Sequence, residues 1–511
     1  MPITSQLICN KFGGIRQVNS IFSSAIITAS DCQNIELYDT GINGGVGIRT
    51  MKGNINISSN LIPSGEKVIN IFESIQKGNK YFFVHTVSAT EGKVYLFDIN
   101  NSLMTPKLTG LAVTSVSCGK DFLQGTRDLF IFANGSDKFR YIEIGGSPET
   151  GIINAIDSQG REIRGLGLVV FAGRMFTFIG NRVHYCVTAN INDWSTSNAM
   201  VSTSAGFIEF VKYPTAIALY LTSIAVFFND SSVQISDNYP FTVSDESPGG
   251  CAGYDAFIFH GTDLYFYDDT KKGIFSFKQI VLGNKTLGEN IAIEIKSELQ
   301  QVDTSRLNEI KTLSIVLNDR NEIWFYLPDN NSNSTILIYD YLKGEWLKRV
   351  CQKINCFRVV NNKLYSGSND GKVYQEYTSD SYDNLFIEKF YKTTALNLGS
   401  NTTLKALVFP PRIAVDLPYI NIFWVKYIKN YDVFKTPKIK QIVAKFKNYL
   451  IWGAGYWGKN YWVGKSKINS IQKLPNISAF KTLEMTFYTT QNSENFAIKN
   501  IEFSKIKVVQ V

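Results

Sequence analysis

The sequence predicts an all-β protein: a β-propeller of six or seven blades followed by a C-terminal β-sandwich. Three observations predict it. Seven times between Tyr81 and Tyr374 the chain repeats an apolar strand, a tight Gly/Asn/Asp turn and a second, aromatic-rich strand. These hairpins span residues 81–97, 128–144, 167–187, 219–235, 257–277, 323–339 and 357–374. Their midpoints lie roughly 35 to 65 residues apart, the spacing of propeller blades. No stretch longer than about 12 residues combines helical apolar spacing with good caps.

Each region has its own pattern. Residues 1–65 read as leading strands and loops that could close the propeller; their glycine-dense run Thr40–Thr50 lacks the Gly-Lys-Ser/Thr ending of a phosphate loop and reads as positive-φ turns. Residues 66–380 carry the blades, and Gly-Lys-Val-Tyr recurs at 92–95 and 371–374. Residues 381–511 lose the hairpin beat. Strands there alternate apolar with polar residues, as in Ile439–Lys447 and Ile498–Val508, which suits half-buried strands of a separate small sandwich.

Composition narrows the class. With 44% hydrophobic and 13% aromatic residues the chain can bury a large core. It shows no basic-then-apolar leader and no apolar run long enough to span a membrane, so neither a signal peptide nor a membrane helix is expected. The seven cysteines include no Cys-x-x-Cys pair and read as buried, reduced thiols.

Charge divides the chain. Residues 381–511 hold 19 Lys/Arg against 7 Asp/Glu, whereas residues 1–380 hold 33 against 37. A basic region of this density attracts phosphate or an acidic protein surface. Within it Trp452, Trp457 and Trp462 stand five residues apart, a period that fits neither a strand face nor a helix stripe. Glycines must turn the chain between them, and such aromatics either pack in a core or grip a partner.

Catalytic signatures do not assemble. Asp39-Thr40-Gly41 matches an aspartic-protease triplet, but that chemistry needs a second one, which the sequence lacks. His85, His184 and His260 are far apart, each by or within an apolar strand, and read as structural rather than metal-binding. No Gly-x-Ser-x-Gly elbow is present. Asn369-Asp370-Gly371 lacks the spacing of a sialidase Asp-box and reads as a hairpin turn. No enzyme activity, cofactor or metal is expected; a propeller glycosidase with two carboxylates at its mouth is the enzymatic alternative.

The order of the hairpins is more specific than the fold. Gly173-Arg174, Gly180-Asn181-Arg182-Val183 and Asp193-Trp194 precede Ala225–Ile235; Gly249-Gly250-Cys251-Ala252 and Leu264–Tyr267 follow; then come Glu322–Pro328, Leu337–Tyr341 with Gly344-Glu345-Trp346, and Lys363–Gly367. This succession resembles the tail nozzle, or packaged-DNA stabilisation (tail hub), proteins of short-tailed bacteriophages. The Trp-Gly tract at 452–462 is similar to one in the C-terminal part of phage tail propellers. The resemblance covers roughly residues 165–510. It implies a structural protein of the virion tail, assembled in the host cytoplasm. Its partners would be itself, in a ring usually of six; the portal-adaptor or neighbouring tail proteins; and double-stranded DNA in the lumen, retained after packaging and released for ejection.

Two roles are open to the basic region. Lys435, Lys438, Lys440, Lys445, Lys447, Lys459, Lys465 and Lys467, with Trp452, Trp457 and Trp462, could face DNA or form a protein interface. Dense lysines would slow DNA release, because each neutralised phosphate adds a counterion-release contribution, so the protein interface is favoured. A further alternative is a tail-tip propeller contacting the host envelope, its polar loops such as Asp329–Ser334 binding a surface glycan.

Overall fold

The computed structural model describes residues 3–4, 7–9, 11–16, 26–41, 44–196, 203–236, 239–282, 287–317, 320–329, 331, 333–396, 404–416, 421–430, 437–444, 449–450, 461–462, 469–474, 477, 480–492, 494–504 and 506–509. The protein is all-β, with a seven-bladed propeller and a large mixed sheet. It divides into two compact units: Ile55–Leu342 with Cys351–Glu376, and Met1–Asn54 with Lys343–Val350 and Tyr377–Val511.

The propeller's first strands are Lys67–Gln76, Cys118–Gln124, Leu166–Phe171, Ala216–Tyr220, Phe257–His260, Lys311–Leu317 and Ile354–Val360, one for each of blades 1 to 7. Each pairs antiparallel with the next strand through a two-residue turn, and the closing pairs are equivalent in every blade: Gln76↔Asn79, Gln124↔Arg127, Phe171↔Arg174, Tyr220↔Ser223, His260↔Asp263, Leu317↔Arg320 and Val360↔Lys363. Among the described residues, three turns hold both residues at positive φ, at Lys77-Gly78, Ala172-Gly173 and Asn361-Asn362. That geometry matches the right-handed twist of the flanking strands. Blade 7 takes its fourth strand, Gly53–Asn56, from the start of the chain. Just beyond, Ile57 N donates to Val373 O and Val373 N to Ser58 Oγ, both near 2.9 and 2.8 Å.

The aromatic-rich strands have a packing reason. A ring contact sits at every blade junction: Phe83–Phe130, Phe139–Trp194, Phe210–Phe228, Phe227–Phe266, His260–Tyr341, Trp324–Phe357 and Phe82–Tyr365, with centroids 4.6 to 5.7 Å apart. Blades pack face to face and cannot pair edges across the junction, so ring area does the joining.

The C-terminal region does not make a sandwich by itself. Its strands join those of residues 7–50 in one twelve-stranded mixed sheet. Lys11–Ile15 runs parallel to both Ile26–Gln33 and Val46–Thr50. Val46–Thr50 pairs with Ala497–Phe503, and Phe390–Thr393 with Ile26–Gln33. The sheet is nearly closed and barrel-like, because the Lys440 ammonium on the terminal strand Lys438–Ala444 donates to Lys473 O on the opposite terminal strand Asn469–Lys473 at 2.6 Å. Its core includes Tyr391, whose hydroxyl donates to Gly13 O and Ile27 O at 2.9 and 2.7 Å.

Candidate functional site

The seven first strands surround a cavity of about 530 Å³ on the propeller axis. It is built from short strands that each offer one edge to the axis, so residues distant in sequence meet there. The floor is polar. Tyr254, in the connection to blade 5, donates through its hydroxyl to Ser117 O, ahead of blade 2, at 3.3 Å. The Lys311 ammonium of blade 6 donates to the same hydroxyl at 2.7 Å and lies 3.2 Å from the Asp255 carboxylate. Asn70 Nδ2 of blade 1 also donates to Ser117 O, at 2.8 Å, and the Ser117 hydroxyl meets His85 Nδ1 at 2.9 Å.

Burial pulls the Lys311 ammonium toward neutrality, but Tyr254 and Asp255 outweigh it and hold the pKa above the usual lysine range. Lys311 is therefore charged and internally balanced. Cys118 lines the same cavity, where burial pushes its thiol up to about 11, so it is protonated and unreactive at neutral pH.

Above the floor, Lys120 of blade 2 and Arg358 of blade 7 face the cavity. Lys120 opens onto the channel yet is walled by protein. Desolvation, and next the positive charge of Arg358, hold its pKa below the usual lysine range. The mouth is apolar. Two residues before each turn stand Ile75, Leu123, Val170, Leu219, Phe259, Val316 and Val359. Of these, Val170, Leu219 and Phe259 line the cavity, while Val316, Leu123 and Ile75 are 69%, 59% and 51% exposed.

Of the eleven residues singled out in the sequence, Lys438 and Lys440 have described, exposed side chains on one strand of the mixed sheet. Trp462 lies in the short strand Tyr461–Trp462, parallel to Tyr449–Leu450. Lys435, Lys445, Lys447, Trp452, Trp457, Lys459, Lys465 and Lys467 lie outside the described residues. Lys440 has an evident structural task in drawing the sheet ends together.

The other motifs resolve into structure. Asp39 Oδ1 accepts from Gly41 N at 2.7 Å, a local turn, and Gly41 and Gly44 have φ of 64°. Gly371 closes the Asn-Asp-Gly turn at φ 74°. The three histidines are buried; desolvation lowers His85 to about 3 and His184 to about 4. All seven cysteines are free thiols, and all but Cys118 are fully buried. Among the described residues no three His, Cys, Asp or Glu side chains gather as a metal site, and no helix is long and apolar enough to cross a membrane.

Sequence reasoning missed the axial cavity. Lys120, Tyr254, Lys311 and Arg358 sit in four different blades or connections, and the one available signal was a charged residue repeatedly placed within an otherwise apolar first strand.

No protein-family model matches the chain, and no curated protein matches it. Solved structures are similar to it over part of the chain. A catalytically inactive virginiamycin B lyase from Staphylococcus aureus with quinupristin is 11% identical, with 67% of this chain and 99% of that one covered and a TM-score of 0.42. BamB from Moraxella catarrhalis is 11% identical, covering 66% and 92%, at a TM-score of 0.36. The computationally designed Ika8 protein is 10% identical, covering 64% and 99%, also at 0.36. At such identities the likeness carries no argument about function.

Proposed function

We propose that this chain is a structural subunit of a bacteriophage tail. It forms a ring-shaped nozzle or hub that continues the DNA channel below the portal and adaptor, retains packaged DNA and opens for ejection. The observation that carries the reading is the order of its hairpin motifs, which occupy five consecutive blades, from Gly173-Arg174 in blade 3 to Lys363–Gly367 in blade 7. The reading also fits a propeller used as a building block, with seven tightly packed junctions and hidden sheet edges.

The axis bears on where DNA would pass. Tyr254 reaches Ser117 across the cavity floor. A duplex cannot thread a propeller bridged in this way, so the lumen of a nozzle would lie between subunits, bounded by heterologous contacts. The basic sheet, with exposed Lys438 and Lys440, would serve one such contact, and the chain would act without catalysis, in the virion tail.

Light scattering on the purified protein across concentration, alone, with short duplex DNA and with a portal-adaptor partner, tests the reading. A closed ring near six subunits under any of these conditions supports it. A monomer that never assembles, and instead binds host-envelope glycan or cleaves it, overturns it. Charge reversal at Lys438 and Lys445, with Lys440 and its sheet contact left in place, separates the two roles of the basic region: lost assembly marks a protein interface, whereas intact assembly with altered DNA retention marks a DNA contact.

A further inference from the structure

The axial cavity is lined by two cations, Lys120 and Arg358, whose charges act on Asp121 and Asp255 without a direct contact. Lys311 is matched by Asp255 and Tyr254, but among the described residues neither Lys120 nor Arg358 has an ion-pair or hydrogen-bond partner. The acid beside Lys120 in sequence, Asp121, is committed elsewhere: its two oxygens accept from Ser74 Oγ at 2.6 Å and Ile75 N at 2.8 Å. Both side chains are exposed to the cavity, and two like charges facing one space are mutually unfavourable, so the site favours an anion between them.

The surroundings define that anion. Lys120 lies two residues beyond Cys118 along its strand, while Arg358 lies one residue below the apolar ring position Val359. From the floor to the ring is about five residues of strand, roughly 17 Å. The charges thus sit between a polar floor that is already satisfied and an apolar mouth where Val170, Leu219 and Phe259 line the cavity. A volume of about 530 Å³ is within the range of small-ligand sites.

We propose that the propeller axis is a binding site for a small organic anion. Its carboxylate or phosphate group pairs with Lys120 and Arg358, and its aliphatic or aromatic body lies against Leu219 and Phe259 at the mouth. This site is independent of the tail reading, since it needs only the propeller unit of a single chain.

Isothermal titration of the full-length protein with octanoate, phenyl phosphate, inorganic phosphate and neutral octanamide tests it. Octanoate or phenyl phosphate should bind at one site per chain, octanamide and inorganic phosphate at least about tenfold more weakly, because each lacks one half of the recognition. Whichever of octanoate and phenyl phosphate binds tighter identifies the head group. Lys120→Met and Arg358→Met should each weaken binding by about tenfold or more. Lys120→Arg should retain it, and Lys438→Met, at a residue that does not line the cavity, should change nothing. Absence of binding by either organic anion overturns the proposal. So does equal affinity for octanamide, or affinity unchanged in Lys120→Met and Arg358→Met with the fold confirmed by circular dichroism.

Discussion

The Tyr254 hydroxyl donates to Ser117 O at 3.3 Å although the two residues are 137 apart in sequence, joining the connection ahead of blade 5 to that ahead of blade 2. The same oxygen accepts from the Lys311 ammonium, so one phenol ties three parts of the propeller together. Tyr254→Phe should keep the fold and remove both bonds. The propeller's unfolding midpoint in urea should fall by the equivalent of about 1–2 kcal/mol. An unchanged midpoint would show that the floor contributes no net stability.

Lys311→Met should destabilise more than Lys311→Met/Asp255→Asn. The single change strands the carboxylate beside a desolvated floor, whereas the double change removes both charges. Asp255 keeps 37% of its side-chain exposure, so solvent screening limits the difference to about 1–2 kcal/mol. Paired urea denaturation of the two variants reads it directly.

Gly250→Ala should be among the most damaging small substitutions. A Cβ there would lie 2.2 Å from the Asn229 carbonyl atoms and 2.4 Å from Asp230 N, all backbone. Nothing flexible can move aside, and the same residue's N–H donates to buried Asp268 at 3.1 Å. A loss of about 3 kcal/mol or more, or insoluble expression, is expected. Gly261→Ala, in open space though at φ 61°, should cost only about 1 kcal/mol.

Acid should weaken the propeller through its histidines. His85 and His184 titrate near 3 and 4 when folded, against 6.5 for an unperturbed imidazole. Between those values the unfolded chain binds the extra protons, so their contribution is present above pH 6.5 and is lost as pH falls. Near pH 5 each adds a slope approaching about 1.4 kcal/mol per pH unit, smaller toward pH 6 and, for His184, toward pH 4. His85→Gln should show a shallower decline of urea midpoint with acid than the parent, whatever its stability at pH 7.

The propeller was legible because its signal is local. Each hairpin's strands are joined by two residues, and turn chemistry such as Ala172-Gly173 or Asn361-Asn362 sits beside the apolar runs it connects. The mixed sheet was not legible as such. Ile48 pairs with Ile498, and Lys11 with Ile26 in parallel, and no feature near either residue announces a partner so remote or so oriented. The axial cavity was hidden for a related reason. Lys120 and Arg358 each read as an ordinary charge in a strand, and only closure of the ring gives them a common space. The tryptophan tract, prominent in sequence, falls largely outside the described residues.

The start of the chain finds its place only at the end. Gly53–Asn56 completes a blade whose other strands end at Ser379, and Arg49 pairs with Ala497. On a translating ribosome these early strands would emerge with exposed edges and wait for some 450 residues to follow, roughly 20 to 90 seconds at ordinary elongation rates. Blades 1 to 6 can stack meanwhile, in order of synthesis. Ring closure and the second sheet then follow the stacking of these blades, which leaves the strand edges of residues 46–56 exposed for longer than those of the blades.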